Sequence, residues 1–225
     1  MPALKDGMRW FKQSFSEEMS GTIAQMPFTL DLMTALATQE TFEVWGNLFT
    51  TLPIAKILEI CVGDTLDAPN RSAFPTTKQN LLSDPNGQQL FVIARGALEA
   101  VGEHNATYHK VAMANPNKFC HGFGIFQYDL QFSRHGQDPD FFLNKKWFNF
   151  ADCLAKAVSE LREAQSRAGL GGRTSLSDLD QAHVAIAYNS GSFNPAKGLK
   201  QGFKDGSGKF YGELIFDYIN MSKAV

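Results

Sequence analysis

Three short segments carry residue types that could do chemistry together. Residues 35–41 read ALATQET, which puts Glu40 at the end of an apolar run. A carboxyl group held against apolar walls loses the solvation of its charged form, so it keeps a proton to higher pH. Such a proton is what a general acid delivers to a leaving oxygen, for example that of a glycosidic bond. Residues 122–128 read GFGIFQY. The glycines on either side of Phe123 let the backbone approach another group closely, and Gln127 supplies a donor and an acceptor. Residues 187–191 read AYNSG, where Tyr188 can aim a phenol at a carboxyl group while Asn189 and Gly191 end a helix. Each segment also has an ordinary use: a helix end in water, a tight turn feeding a strand, a capped helix with a buried Tyr.

A second carboxylate would decide how a glycosidic bond is broken. An inverting hydrolase holds one about 6.5–9.5 Å from the acid to activate water. Asp64 and Asp67, on the polar stretch after Cys61, are candidates, as is Asp129 beside Gln127. Gly-Asp and Asp-Ala-Pro are also common turn pieces. Other chemistries find little support. His104, His109, His121, His135 and His183 are scattered without HExxH spacing, and Cys61, Cys120 and Cys153 form no CxxC, so no metal and no cofactor are expected. The cysteines read as reduced, buried thiols. Residues 169–172 hold no phosphate-loop Lys, and no serine nucleophile elbow is present. The Lys145-Lys146-Trp147 run reads as a solvated loop with an aromatic anchor, although Trp147 could also stack on a sugar.

The elements that would position these residues are mostly helical. Apolar spacing predicts a helix over 28–40, then one at IAKILEIC (54–61), with Thr51 and Pro53 at its start. A polar loop with Pro69, Pro75 and Pro85 follows from 63 to 85, with room for one short helix. Leu90, Ile93, Ala94, Ala97, Leu98 and Val101 line a second helix that ends near Gly102. A long helix is predicted over 150–167 with Gly169 at its end, another opens at a Ser177/Asp180 capping box, and a short aromatic one covers 211–219. Any sheet would be small and lie between residues 61 and 135.

The chain of 225 residues is 44% hydrophobic and 20% charged, with net charge −2. That composition excludes disorder, collagen and coiled coil. It leaves no basic excess for a nucleic-acid partner. The 19 Phe residues fit either a packed aromatic core or a stacking groove. The N-terminus, MPALKDGMRWFKQ, shows no apolar signal region, and no run is long enough for a membrane span, so a soluble chain without a leader is expected.

The order of the three segments resembles the lysozyme-like superfamily, in particular the soluble lytic transglycosylase and goose-type lysozyme group. ALATQET resembles that family's apolar helix ending in Gln-Glu-Ser, GFGIFQ its Gly-Leu-Met-Gln segment, and AYNSG its Ala-Tyr-Asn-Ala-Gly. The resemblance implies a single, mostly α, lysozyme-like domain over residues 1–225. It would carry a long inserted loop, little β, and an N-terminal extension over 1–25. It further implies that Glu40 is the acid, that Tyr188 contacts it, and that Gln127, Phe126, Tyr128 and Asn189 bind substrate. The interval between Glu40 and Gln127 is longer than in the family, and Glu103, in VGEHN, stands closer to GFGIFQ as an alternative acid. The implied partner is peptidoglycan or a related β-1,4 amino-sugar polymer in the cell wall, met by a monomer and cut by hydrolysis or by transglycosylation. A chitinase- or chitosanase-type hydrolase and a non-catalytic glycan-binding module are the alternatives.

Overall fold

A computed structural model describes residues 3–70, 74–131 and 139–225 of the chain. In chain order the elements are α1 (Leu4–Ile23), α2 (Leu30–Trp45), α3 (Ile54–Ile60), β1 (Val62–Leu66), α4 (Lys78–Leu82), α5 (Gly87–Gly102) and α6 (Ala106–Ala114). There follow β2 (Phe119–Phe123), β3 (Tyr128–Asp129), α7 (Asp140–Leu143), α8 (Phe150–Arg167), α9 (Asp178–Ser190) and α10 (Tyr211–Ser222). The chain folds into two compact units, Met1–Phe42 with Leu154–Val225, and Glu43–Cys153. It passes from one to the other within α2 and again within α8.

The described elements of the first unit are helices, with one isolated antiparallel bridge between Lys204 and Phe210. The segment expected as an N-terminal extension holds helix α1, whose Met8, Phe11, Phe15, Met19 and Ile23 recur three and four apart and are buried. Charged neighbours and two glycines mask that stripe in the sequence. Lys12 Nζ donates to Asp31 Oδ1 at 2.8 Å, and Ser222 Oγ donates to the same oxygen at 2.8 Å, tying α1 to α2 and α10. Helix α2 runs five residues beyond the predicted end and is buried continuously from Leu32 to Thr38. It is therefore a core helix rather than a half-exposed one. It can carry Thr34, Thr38 and Thr41 inside because each hydroxyl donates to the carbonyl four residues back, at 2.8, 2.7 and 3.0 Å.

Helix ends follow the local signals. Ser177 and Asp180 form a reciprocal capping box, and Gly191 closes α9 at φ +75°. Gly169 stops α8 at φ +73°, and Leu170 N–H reaches back to the Gln165 carbonyl at 3.0 Å.

The second unit is organised around α5 and one antiparallel sheet of order β1-β2-β3, in the interval where a small sheet was expected. Three of its elements were not anticipated: β1, inside the predicted loop, and α6 and α7, both between the helices predicted to end near Gly102 and to start at 150. Asn105 caps α6 by accepting from Thr107 N and Tyr108 N, and Arg95 holds its far end by donating to the carbonyls of Ala112 and Asn115, each at 2.8 Å. Pro53 sits at the N-cap of α3, one place before the first turn. The phenylalanines pack an aromatic core here. Phe123 meets Phe142 and Trp147 edge-on at 5.3 and 4.8 Å, and Tyr128 stacks on Phe142. Trp147 is 2% exposed and donates Nε1 to the Glu59 carbonyl at 3.1 Å, which makes it an anchor with no free face for a sugar. All three cysteines are buried, and none forms a disulfide.

Truncating Trp147 to Ala removes that packing and leaves the Glu59 carbonyl without its donor. Chemical denaturation should show a loss of about 3–5 kcal/mol; a loss below about 1 kcal/mol would contradict the anchoring role.

Candidate active site

In the first unit, Glu40 projects from the third turn of α2 rather than from its end, immediately after the buried run, and is half-buried. Its Oε1 accepts a hydrogen bond of 2.9 Å from Tyr211 Oη. Tyr211 opens α10 and is 3% exposed; burial, then the charge of Glu40, push its phenol well above the usual value. It is thus a protonated donor at any physiological pH.

Three backbone features deliver that phenol. Tyr211 N–H donates to the Phe203 carbonyl at 2.8 Å, and Gly212 N–H donates to the Gln201 carbonyl at 3.1 Å. Gly202 sits at φ +83° so close beneath Tyr211 that a Cβ there would lie 2.6 Å from the Tyr211 Cβ. Tyr188, half-buried on the last turns of α9, is within electrostatic reach of Tyr211, so the two phenols share one neighbourhood. Asn189 is exposed at the end of the same helix. Tyr211 is the residue that sequence reading missed; an aromatic at the start of a predicted helix was its only local signal.

The second unit holds the other predicted residues. His121, on the central strand and 1% exposed, lies between two carboxylates. Its Nδ1 stands 3.3 Å from Asp129 Oδ1 and 3.5 Å from Asp64 Oδ2, aligned for a full hydrogen bond with neither. Its Nε2 donates to the Phe74 carbonyl at 3.2 Å. Burial pushes the imidazole toward its neutral form, but Asp129 and Asp64 outweigh that and hold its pKa up at about 9. The aspartates keep one side in water, at 43% and 41% exposure. Asp64 adopts φ +46°, a left-handed conformation uncommon for a residue with a side chain. Asp67 also has positive φ, and its Oδ2 accepts from Asn115 Nδ2 at 3.0 Å.

Several expectations need correction. Phe126 and Tyr128, expected to bind substrate, are 2% and 7% exposed: Phe126 packs on Phe150, and Tyr128 lies between Phe141 and Phe142. Gln127 is half-buried and folds back: its Nε2 donates to the Gly124 carbonyl at 2.9 Å, and its Oε1 fills the space that a Cβ on Gly63 or Gly122 would need. Glu103 caps α5 and is exposed, without the apolar walls an acid requires. The Cys153 thiol is pushed by burial up to about 12 and the Cys120 thiol higher still, so neither is a nucleophile at neutral pH. His135 lies outside the described residues. Among the described residues no group of His, Cys, Asp and Glu is arranged to hold a metal, and no helix is long and apolar enough to cross a membrane.

A cavity of about 740 Å³ in the first unit is lined by Gln25, Ser159, Arg162, Gln165 and Arg173 among others, and none of the predicted site residues lines it. No family model, no curated protein and no solved structure matches the chain.

The charge on His121 has a measurable sign. Its folded pKa is raised from 6.5 to about 9, so the imidazolium's stabilisation is full below pH 6.5 and is lost as pH rises through 9. Between about pH 6 and pH 10, wild type is expected to lose on the order of 1–2 kcal/mol more than His121→Gln in chemical denaturation. This is below the full linkage value because the two aspartates are partly solvated. Parallel pH profiles would show that the imidazole is neutral in the fold.

Proposed function

We propose that this chain cleaves the β-1,4 bond between N-acetylmuramic acid and N-acetylglucosamine in peptidoglycan, with Glu40 as general acid. The observation that carries the reading is the bond from Tyr211 Oη to Glu40 Oε1, made just beyond the buried run Leu32–Thr38 of α2. Because Oε1 accepts from the phenol, Oε2 carries the transferable proton. That proton passes to the glycosidic oxygen as its bond to C1 breaks and the bonding electrons leave with the oxygen. The oxocarbenium-like centre is closed in one of two ways. The muramoyl 6-hydroxyl adds to C1 and returns its proton to Glu40, or water adds with its proton taken by a second carboxylate. Tyr211 acts by orientation, fixing which carboxyl oxygen carries the proton. The resemblance of ALATQET and AYNSG to the lysozyme-like superfamily supports the same assignment, with Tyr188 as a neighbour of the acid.

Turbidity loss of purified cell walls tests the reading. Glu40→Gln should clear walls at least about 100-fold more slowly than wild type, and Tyr211→Phe about tenfold more slowly, whereas Glu103→Gln should clear them normally. Wall clearing by Glu40→Gln at the wild-type rate would overturn the assignment. Mass spectrometry of the products separates the routes, since 1,6-anhydro ends mark transglycosylation and reducing ends mark hydrolysis.

A further inference from the structure

We infer that residues 197–210 form a docking platform for glycan strands that carry anionic stem peptides, with Phe203 stacking on a sugar ring and Lys197 and Lys200 pairing with stem carboxylates. The inference rests on the proposed glycosidase reading for its ligand class and adds the part of the substrate that this site selects.

Phe203 is 77% exposed, yet its backbone is tightly held. Its carbonyl accepts from Tyr211 N–H, and Lys204 and Phe210 pair as an antiparallel bridge around the turn. The Asp205 carboxylate accepts from the backbone N–H groups of Ser207 and Lys209, each at 2.9 Å. Upstream, Gln201 Oε1 accepts from Asn194 N–H at 2.8 Å, and Gln201 Nε2 donates to the Asn194 carbonyl at 3.0 Å. An aromatic ring held out into water on an ordered backbone is prepared for a flat partner, because little freedom remains to be lost on binding. The platform is also fixed to the candidate acid. One backbone hydrogen bond joins Phe203 to Tyr211, and one side-chain bond joins Tyr211 to Glu40.

Residues 197–210 hold four lysines, Lys197, Lys200, Lys204 and Lys209, against one carboxylate, Asp205. Lys209 pairs with Asp217 at 2.7 Å, and Lys204 lies over the Phe210 ring at 5.3 Å. Lys197 and Lys200 are exposed and make no ion pair among the described residues. Within a chain of net charge −2, such a local excess of lysine calls for an acidic partner. A glycan strand presents flat sugar faces along its length and carboxylates on its stems. A neutral chitin-type polymer offers only the first.

The test measures binding in the Glu40→Gln background, where cleavage cannot interfere. Its probes are stem-bearing glycan strands, the same strands stripped of peptide by an amidase, and phosphatidylglycerol vesicles. Stem-bearing strands should bind about fivefold more tightly than stripped ones, with the ratio shrinking as salt is raised. Lys197→Gln with Lys200→Gln should bring the ratio to about one, and Phe203→Ala should weaken both strands about tenfold. A ratio unchanged by the lysine substitutions would overturn the inference. So would Phe203→Ala binding like its parent, or Phe203-dependent binding to vesicles alone. If wild type leaves walls intact while these preferences hold, the docking stands and the activity reading falls. If wild type clears walls but the variants bind like their parent, the docking alone falls.

Discussion

A carboxyl group at the edge of a buried helix must be given a partner, and in this chain the phenol of Tyr211 supplies it. Leaving Glu40 without a donor would cost on the order of 1–3 kcal/mol in desolvation, more if it were charged. Much of the local architecture follows from delivering one hydroxyl to that point. The loop before α10 is pinned by Gln201 and Phe203, whose carbonyls receive the first N–H groups of the helix. Gly202 and Gly212 allow the close approach; a Cβ at Gly212 would meet the Leu199 carbonyl oxygen at 2.4 Å. The phenol, itself buried, is kept neutral by the same desolvation that makes the bond worth forming.

The second unit solves a different electrostatic problem. An imidazolium on a central strand would be expelled were it alone, since burial favours the neutral ring. Asp64 and Asp129 flank it from the two neighbouring strands and keep enough contact with water to avoid a full desolvation cost of their own. The price is backbone strain at Asp64, in a sheet whose glycines at 63 and 122 make room for the Gln127 side chain. Below it, the ring cluster around Phe123, Phe142 and Trp147 gives the sheet a stiff base.

Much of the helical framework was legible in the sequence because its signals act over a few residues. The limits of α8 follow from an apolar stripe and Gly169, the start of α9 from the Ser177/Asp180 box, and the end of α5 near Gly102 from its loss of period. The confinement of strands to the interval after Cys61 and the burial of the three thiols were legible too. Helix α1 was hidden because charged residues interrupt its buried stripe. Strand β1 was hidden because Asp64 and Gly63 read as turn residues, and nothing local reveals that His121 will compensate them.

The sequence by itself determined which residues can be helical, where those helices stop, and that Glu40 follows an apolar run. Only the tertiary structure decided that Phe126 and Tyr128 are core, that Gln127 folds onto its own turn, and that Tyr211, 171 residues away, donates to Glu40. The physical reason is range. Periodicity, caps and turns are decided by backbone sterics among near neighbours, whereas a buried hydrogen bond between distant residues depends on how whole elements pack, which no local pattern encodes.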